Sequence, residues 1–170
     1  LTLARLDDPS AAAAMTPVDV GDLVEEFVAK TADPHLRVNR VDSCANVMGR
    51  STQLERVLTN LTENALANCG GSVEVTVDVN GSEVIVRVDD DGPGIPPADR
   101  ERVFDRFVRL DEARTSELGT GLGLAIARAI ANEHGGTLNV HSELGVGSVF
   151  TLTIPQPPVG RVTHAASPVS

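Results

Sequence analysis

The clearest pattern in the chain is a pair of alternating apolar and polar runs, VEVTVDV and SEVIVRV, joined through Asn80 and Gly81. Alternation with a period of two predicts strands with one buried face, and an Asn-Gly pair predicts a hairpin with a type I′ turn. The same alternation places Asp90 on the valine-bearing face of the second strand, whereas Asp89 faces the other way. Because a buried carboxylate is costly without a hydrogen-bond partner, we expect a ligand with an N–H donor at Asp90.

Helical periodicity predicts three helices around this hairpin. One follows Asp19, a longer one runs from Ser51 to the glycines at 70 and 71, and the last runs from Leu122 to His134. Extended segments are predicted at RVNRV, around residues 45–48, and at TLNVHSE and SVFTLTI. A short helix is predicted within IPPADRERVF, and the polar segment after it lacks periodicity. A long irregular segment inside a compact domain is typical of a functional lid.

Composition and charge exclude several kinds of partner. The 170 residues are 41% hydrophobic, which is enough for one core, but four Phe and no Trp or Tyr provide few surfaces for stacking nucleic-acid bases. The net charge of −10 also opposes binding to nucleic acid. The two cysteines and four histidines lack the spacing of a metal site or a disulfide framework. No apolar run approaches the roughly 20 residues that cross a bilayer, so we expect no membrane insertion.

Asparagines form a polar row beside the apolar stripe of the helix that begins at Ser51. Asn60, Asn64 and Asn68 follow one another at intervals of one helical turn, about 6 Å apart along the axis. Their side-chain oxygens suit Mg²⁺, which takes one or two protein groups together with waters and phosphate oxygens. Each could instead hydrogen-bond to nearby backbone. Glu63 lies beside the row, either as a base toward a hydroxyl or water, or as a solvated helix carboxylate.

Glycines open the last predicted helix, in GTGLGLAIA. Such a turn lets backbone amides approach a phosphate, where the helix dipole favours negative charge. A dinucleotide-binding fingerprint is disfavoured because Leu124 replaces the last glycine and no strand precedes the turn. A P-loop is excluded, since GxxxxGK[ST] is absent and Lys30 is the only lysine. Arg106 and Arg109 in the lid could neutralise charge on a transferring phosphoryl group, or could simply be solubilising.

In their order and spacing, these motifs resemble the ATP-binding catalytic domain of sensor histidine kinases, which are Bergerat-fold ATPases. The resemblance runs from about Ser51 to Pro155. QLERVLTNLTENALAN resembles the asparagine box, DDGPGI the first glycine box, RVFDRFVR the phenylalanine box and GTGLGLAIA the second glycine box. It implies an α/β (α+β) two-layer sandwich, with a mixed five-stranded sheet packed on about three helices. Phe104 and Phe107 would anchor the lid, which bound nucleotide is expected to order.

The resemblance also implies a role for each candidate residue. Asn64 would coordinate the Mg²⁺ that bridges the phosphates of ATP, with Asn60 assisting, and Asp90 would accept the adenine amino group. Arg109 would contact the terminal phosphate and, with Glu63, is a candidate catalytic residue. The expected cofactor-binding set is Asn60, Asn64, Asn68, Asp90, Gly92, Gly94, Ile95, Gly119, Thr120, Gly121, Leu122 and Gly123.

The same resemblance predicts the organisation of the chain. Residues 1–17 would be a linker and the end of a missing dimerisation and phosphoacceptor hairpin, residues 18–155 the catalytic domain, and residues 156–170 a disordered tail. The domain would transfer the γ-phosphate of Mg-ATP to a histidine on that separate hairpin, for relay to an aspartate of a response regulator. We expect it to be a cytoplasmic domain of a membrane-bound sensor. Two alternatives are an ATP hydrolase of the same fold and a noncatalytic nucleotide-sensing module.

Overall fold

A computed structural model describes residues 14–42, 44–108 and 121–158. Within these ranges the α-helices are α1 (Val20–Thr31), α2 (Ser51–Asn68) and α3 (Gly123–Glu133). The strands are β1 (Thr16–Asp19), β2 (Leu36–Val41), β3 (Asn46–Gly49), β4 (Val73–Asn80), β5 (Glu83–Asp90), β6 (Thr137–Glu143) and β7 (Gly147–Pro155). Most of the predicted lid lies outside the described residues, including Arg109, Gly119 and Thr120, and so do residues 1–13 and 159–170.

Five strands form the main sheet, in the order β2-β4-β5-β7-β6. β2 runs parallel to β4, and the other neighbouring pairs are antiparallel. The three helices pack on this sheet around one apolar core, to which all three and all five strands contribute. The predicted two-layer sandwich of a mixed sheet and three helices is therefore confirmed. No helix within the described ranges combines the length and the apolar character needed to span a bilayer.

The helix α2 carries the apolar stripe that its periodicity predicted. The stripe residues are all buried: Leu54, Val57, Leu58, Leu61 and Ala65. His134 ties the start of this helix to the end of α3, because its Nε2 accepts a hydrogen bond from the Arg50 N–H at 3.1 Å. The Nδ1 atom of the same ring therefore carries the proton and donates to the Ile130 carbonyl at 2.8 Å. His134 is thus a packing residue, as the sequence suggested.

The hairpin of β4 and β5 has a different turn from the one predicted. Its two-residue loop consists of Gly81 and Ser82, and β4 extends through Asn80. Gly81 has a φ of 63°, and Ser82 is outside the left-handed region, as in a type II′ turn with glycine first. The predicted loop would have placed Val79 opposite Ser82. The observed register instead places Val79 opposite Val84, a cross-strand apolar pair that stabilises the sheet.

The chain differs from prediction in two other places. β1 pairs antiparallel with β3 in a small second sheet, so Thr16 and Pro17 belong to the fold rather than to the predicted linker. The predicted short helix in IPPADRERVF consists of two 3-10 turns, Pro97–Asp99 and Arg102–Phe104. Pro96 precedes another proline and is extended, with φ −55° and ψ 143°, so the first turn begins only at Pro97.

Replacement of a core leucine tests this packing. Leu61 is 0% exposed in α2, and Leu61→Ala is expected to lower the free energy of unfolding by about 2–5 kcal/mol through lost burial and a residual cavity. Leu144→Ala is the matched control, because Leu144 is 58% exposed, and its cost should stay within about 0.5 kcal/mol. Urea denaturation measures both, and equal losses would contradict the described core.

Candidate functional site

The candidate site lies where the C-terminal end of α2 meets the end of β5, the central strand of the main sheet. Gly92, just after β5, lies against α2 so closely that a Cβ atom there would be 2.6 Å from the Asn68 carbonyl oxygen. The Asp91 carboxylate accepts hydrogen bonds from three backbone N–H groups that follow α2. The structure therefore brings the end of the asparagine row and Asp90 to the same edge of the sheet.

Asp90 is buried on the inner face of β5, as the alternation predicted, and is only 9% exposed. Its Oδ1 accepts a hydrogen bond from the Gly92 N–H at 3.0 Å. Burial raises the pKa of Asp90 above its ordinary value, while hydrogen bonds from the Gly92 and Ser148 amides oppose that rise. The site therefore presents an acceptor in a largely desolvated setting, where a ligand with an N–H donor would gain a strong partner.

The start of β7 closes one side of the Asp90 pocket. Gly147 has a φ of 144°, and a Cβ atom there would lie 2.0 Å from the Asp90 carbonyl oxygen. A side chain at this position would push β7 away from β5. Ser148, the next residue, lies opposite Asp90 in the register of β5 and β7.

The turn between β6 and β7 fixes the loop that follows Asp90. Gly94 has a φ of 76°, and a Cβ atom there would lie 2.2 Å from the Glu143 carbonyl oxygen. The Ile95 N–H donates to Ser142 Oγ at 2.7 Å. The Ser142 hydroxyl in turn donates to the Gly147 carbonyl at 2.7 Å. The loop that contains Gly94 and Ile95 is therefore held by backbone and buried hydroxyl contacts.

A second group of polar atoms lies at the N-terminus of α3, beside the middle of α2. Gly123 faces Asn60, and a Cβ atom on Gly123 would lie 3.3 Å from Asn60 Oδ1. The Asn60 Nδ2 atom is buried and has no hydrogen-bond partner among the described residues. The first turn of α3 also lacks a side-chain cap, since Leu122 occupies the N-cap position. These unpaired donors suit an anionic ligand such as a phosphate group.

The other predicted residues of α2 occupy the surface between these two groups. Asn64 lies one turn from both Asn60 and Asn68 and is partly exposed. The side-chain nitrogen of Asn68 donates to the main-chain carbonyl oxygen of Asn64 at 2.7 Å. This nitrogen therefore hydrogen-bonds to nearby backbone, which was the alternative to a ligand contact. Glu63 is exposed beside the row. Among the described residues, no cluster of three or more His, Cys, Asp or Glu could hold a metal ion.

Phenylalanines mark the base of the predicted lid. Phe104 is 6% exposed, and its ring packs edge-to-face on Phe150 with 6.2 Å between centroids. The Arg128 guanidinium lies 4.7 Å from the centroid of the Phe104 ring. Phe107, in contrast, is 74% exposed, so the expectation that its side chain anchors the lid is wrong. Its backbone N–H donates to the Gly121 carbonyl at 2.8 Å and ties the two flanks of the segment together.

Sequence reasoning missed Asp91, Ser142 and Ser148 as residues that shape the site. Both serines interrupt the buried, otherwise apolar faces of β6 and β7. A polar residue on a predicted buried face was the available signal, the same one that identified Asp90. Asp91 offered no such signal, because its partners are backbone groups about twenty residues away in the sequence.

Comparison with known proteins supports the fold and shows the family. Residues 49–158 match the family described as histidine kinase-, DNA gyrase B-, and HSP90-like ATPase. The chain is 39% identical over 164 residues to the sensor-like histidine kinase SenX3 of Mycobacterium tuberculosis, covering 91% of this chain and 40% of SenX3. It thus spans less than half the length of that relative.

Two solved structures are similar to the chain at 28% sequence identity. The nucleotide-free catalytic domain of histidine kinase ThkA matches with a TM-score of 0.72, and the match covers 86% of this chain and 100% of the ThkA chain. Full-length ShkA in complex with AMPPNP has a TM-score of 0.71, covering 86% of this chain and 33% of ShkA. With the profile match, these similarities show that the chain belongs to the family of histidine kinase-, DNA gyrase B- and HSP90-like ATPases, as an ATP-binding catalytic domain of the histidine kinase type.

Proposed function

We propose that this domain binds Mg-ATP and transfers the γ-phosphate to a histidine on a dimerisation domain, for relay to an aspartate of a response regulator. The observation that carries the proposal is the placement of two groups beside α2: a buried acceptor, Asp90 of β5, near the end of the helix, and the Asn60 amide nitrogen near its middle, which has no partner among the described residues. The residues Asn60 and Asn68 are eight positions apart, which corresponds to about 12 Å along α2. This side of α2 is long enough for the adenine base to bind near Asn68 and the phosphates near Asn60.

At the base end, Asp90 would accept a hydrogen bond from the adenine amino group. The Gly92 amide holds the carboxylate, and the loop through Gly94 and Ile95 would line the base. Because the surroundings exclude most water, a base that offers an N–H group here is favoured over one that offers an acceptor. This end of the site would therefore select the nucleotide.

At the phosphate end, Asn60 and the first amides of α3 would donate to phosphate oxygens. Asn64 would hold Mg²⁺ through its side-chain oxygen, and the metal when bound would neutralise phosphate charge. The C-terminal half of α2 carries no Lys or Arg. Positive charge from the protein would therefore come from Arg106 and Arg109, the latter contacting the terminal phosphate.

The partners follow from the same proposal. The relatives are named as sensor kinases, and the chain covers 40% of SenX3. We therefore propose that the domain acts on its own upstream dimerisation domain, in the cytoplasmic part of a membrane-bound sensor, and that a response regulator receives the phosphoryl group. Glu63 would orient or deprotonate the attacking group if it approached within hydrogen-bond reach.

Asp90→Asn tests the base end. Loss of the charged acceptor is expected to weaken ATP binding about 10- to 100-fold, measured by calorimetry. The unliganded variant should be at least as stable as the wild type. Because the folded-state pKa of Asp90 is raised, the wild-type domain loses stability as pH rises from the ordinary Asp pKa through that raised value. The variant should lack this loss in thermal unfolding.

Asp89→Asn is the matched control for binding, because Asp89 lies on the opposite face of β5 and its replacement should leave ATP affinity unchanged. Unaltered ATP binding by Asp90→Asn, or equal losses in both variants, would rule out Asp90 as the base acceptor.

Asn64→Ala tests phosphoryl transfer. The domain is mixed with the dimerisation domain of its parent protein and γ-labelled ATP, and transfer to histidine should fall by about 100-fold, since Mg²⁺ no longer has its protein ligand. Asn139→Ala, an exposed Asn→Ala change on β6, should leave transfer intact. Steady phosphate release without the acceptor would instead support the hydrolase, and binding without transfer in the wild type would support the sensing module.

A further inference from the structure

Asp91 forms the densest hydrogen-bond contact between α2 and the end of β5. Its Oδ1 atom accepts from the N–H groups of Gly70, Gly71 and Ser72 at 2.8, 3.0 and 3.1 Å. These residues directly follow α2 and lead into β4. The three hydrogen bonds, with Ser72 the largest contributor, lower the pKa of Asp91 below its ordinary value. The carboxylate is therefore ionised over the whole neutral range and holds three consecutive amides.

The position of Asp91 next to Asp90 gives this contact its importance. Asp90 faces the buried pocket, and the next side chain leaves the strand toward the end of the helix. The backbones are close on both sides of this junction. A Cβ atom on Gly92 would meet the Asn68 carbonyl at 2.6 Å, and one on Gly70 would lie 3.2 Å from the Asp91 carbonyl oxygen.

The two ends of the site lie on different elements. The base acceptor belongs to β5, whereas the carboxamides that face the phosphates belong to α2. A nucleotide that contacts both gains affinity when their separation is fixed beforehand, because no binding energy is then used to order them. A side chain that links the end of α2 to the residue beside Asp90 is placed to fix that separation.

We propose that Asp91 is a positioning residue that sets the distance between the base-binding and phosphate-binding ends of the nucleotide site. This role rests on the proposed binding of Mg-ATP. Asp91 itself touches neither end of the nucleotide in this proposal; it acts through Asp90 on one side and through the asparagines of α2 on the other.

The test compares a ligand that uses both ends with a ligand that uses one. Calorimetry measures the affinities of Mg-ATP and of adenosine for wild type and for Asp91→Ala. Loss of the link should weaken Mg-ATP binding on the order of tenfold, as expected for a lost coupling between two sites. Adenosine contacts only the base end, so its affinity should change less than about twofold on the same coupling argument.

Two further variants separate charge, geometry and stability. Asp91→Asn keeps an oxygen on which all three N–H groups can converge, so it should recover most of the Mg-ATP affinity. Asp91→Glu keeps the charge but displaces it by one methylene, so it should weaken Mg-ATP binding several-fold and spare adenosine. If Asp91→Ala does not fold, the Mg-ATP and adenosine affinities of Asp91→Glu provide the test instead.

Asp42→Ala is the control. Asp42 lies away from the site, and its carboxylate also accepts a backbone hydrogen bond, from the Val79 N–H at 3.1 Å. It should lower the melting temperature without changing either affinity. Equal losses for Mg-ATP and adenosine, or a change confined to melting temperature, would overturn the role of Asp91 alone. Absence of Mg-ATP binding by the wild-type domain would overturn the proposed function together with it.

Discussion

The hydrogen bonding of carboxylates by backbone amides is the interaction on which the site depends. Asp90 is buried at the end of the central strand, where a carboxylate is tolerated only with suitable partners. The Gly92 amide is such a partner for Asp90, and the carboxylate of the neighbouring Asp91 accepts hydrogen bonds from three more amides. An acidic chain of net charge −10 thereby holds two adjacent carboxylates through backbone amides.

The same use of backbone groups appears at the opposite end of the site. Within the described ranges, the N-cap residue of α3 makes no side-chain capping hydrogen bond, and this helix end lies beside the Asn60 amide nitrogen, which has no partner there. A helix N-terminus carries partial positive charge, so it attracts an anion without a charged side chain. α2 joins the two ends, because its C-terminus is held at β5 and its middle contacts α3. The separation of the two ends therefore depends on this helix together with the contact that holds its end at β5.

The sequence predicted those parts of the arrangement that depend on a pattern within one helix or strand. The inner face of β5, the apolar stripe of α2 and the asparagine row are all periodic patterns within a single element, and the structure has the first two as predicted. β1 escaped prediction because four residues give little pattern and the partner strand lies beyond a helix and another strand. The hairpin register was predicted wrongly because a loop of Asn80 and Gly81 and a loop of Gly81 and Ser82 both place valines of β4 opposite valines of β5.

Long-range contacts set the remaining parts of the site. Ser142 meets the Ile95 amide across 47 positions of sequence, and no local pattern encodes that pairing. Phe107 shows that a local motif can also give a wrong prediction. Its motif predicted a buried anchor, but the chain turns at a φ of 66° there and directs the ring outward, while the backbone provides the connection.

The role of β7 in closing the Asp90 pocket has a consequence for the order in which the domain matures. β7 is the last of the described strands to leave the ribosome, and it carries Gly147, which permits the close approach to β5, and Ser148, which lies opposite Asp90. A nascent chain that ends before residue 147 possesses the acid and the carboxamides but not a finished pocket. A ligand that binds the completed pocket would therefore stabilise only chains that include β7.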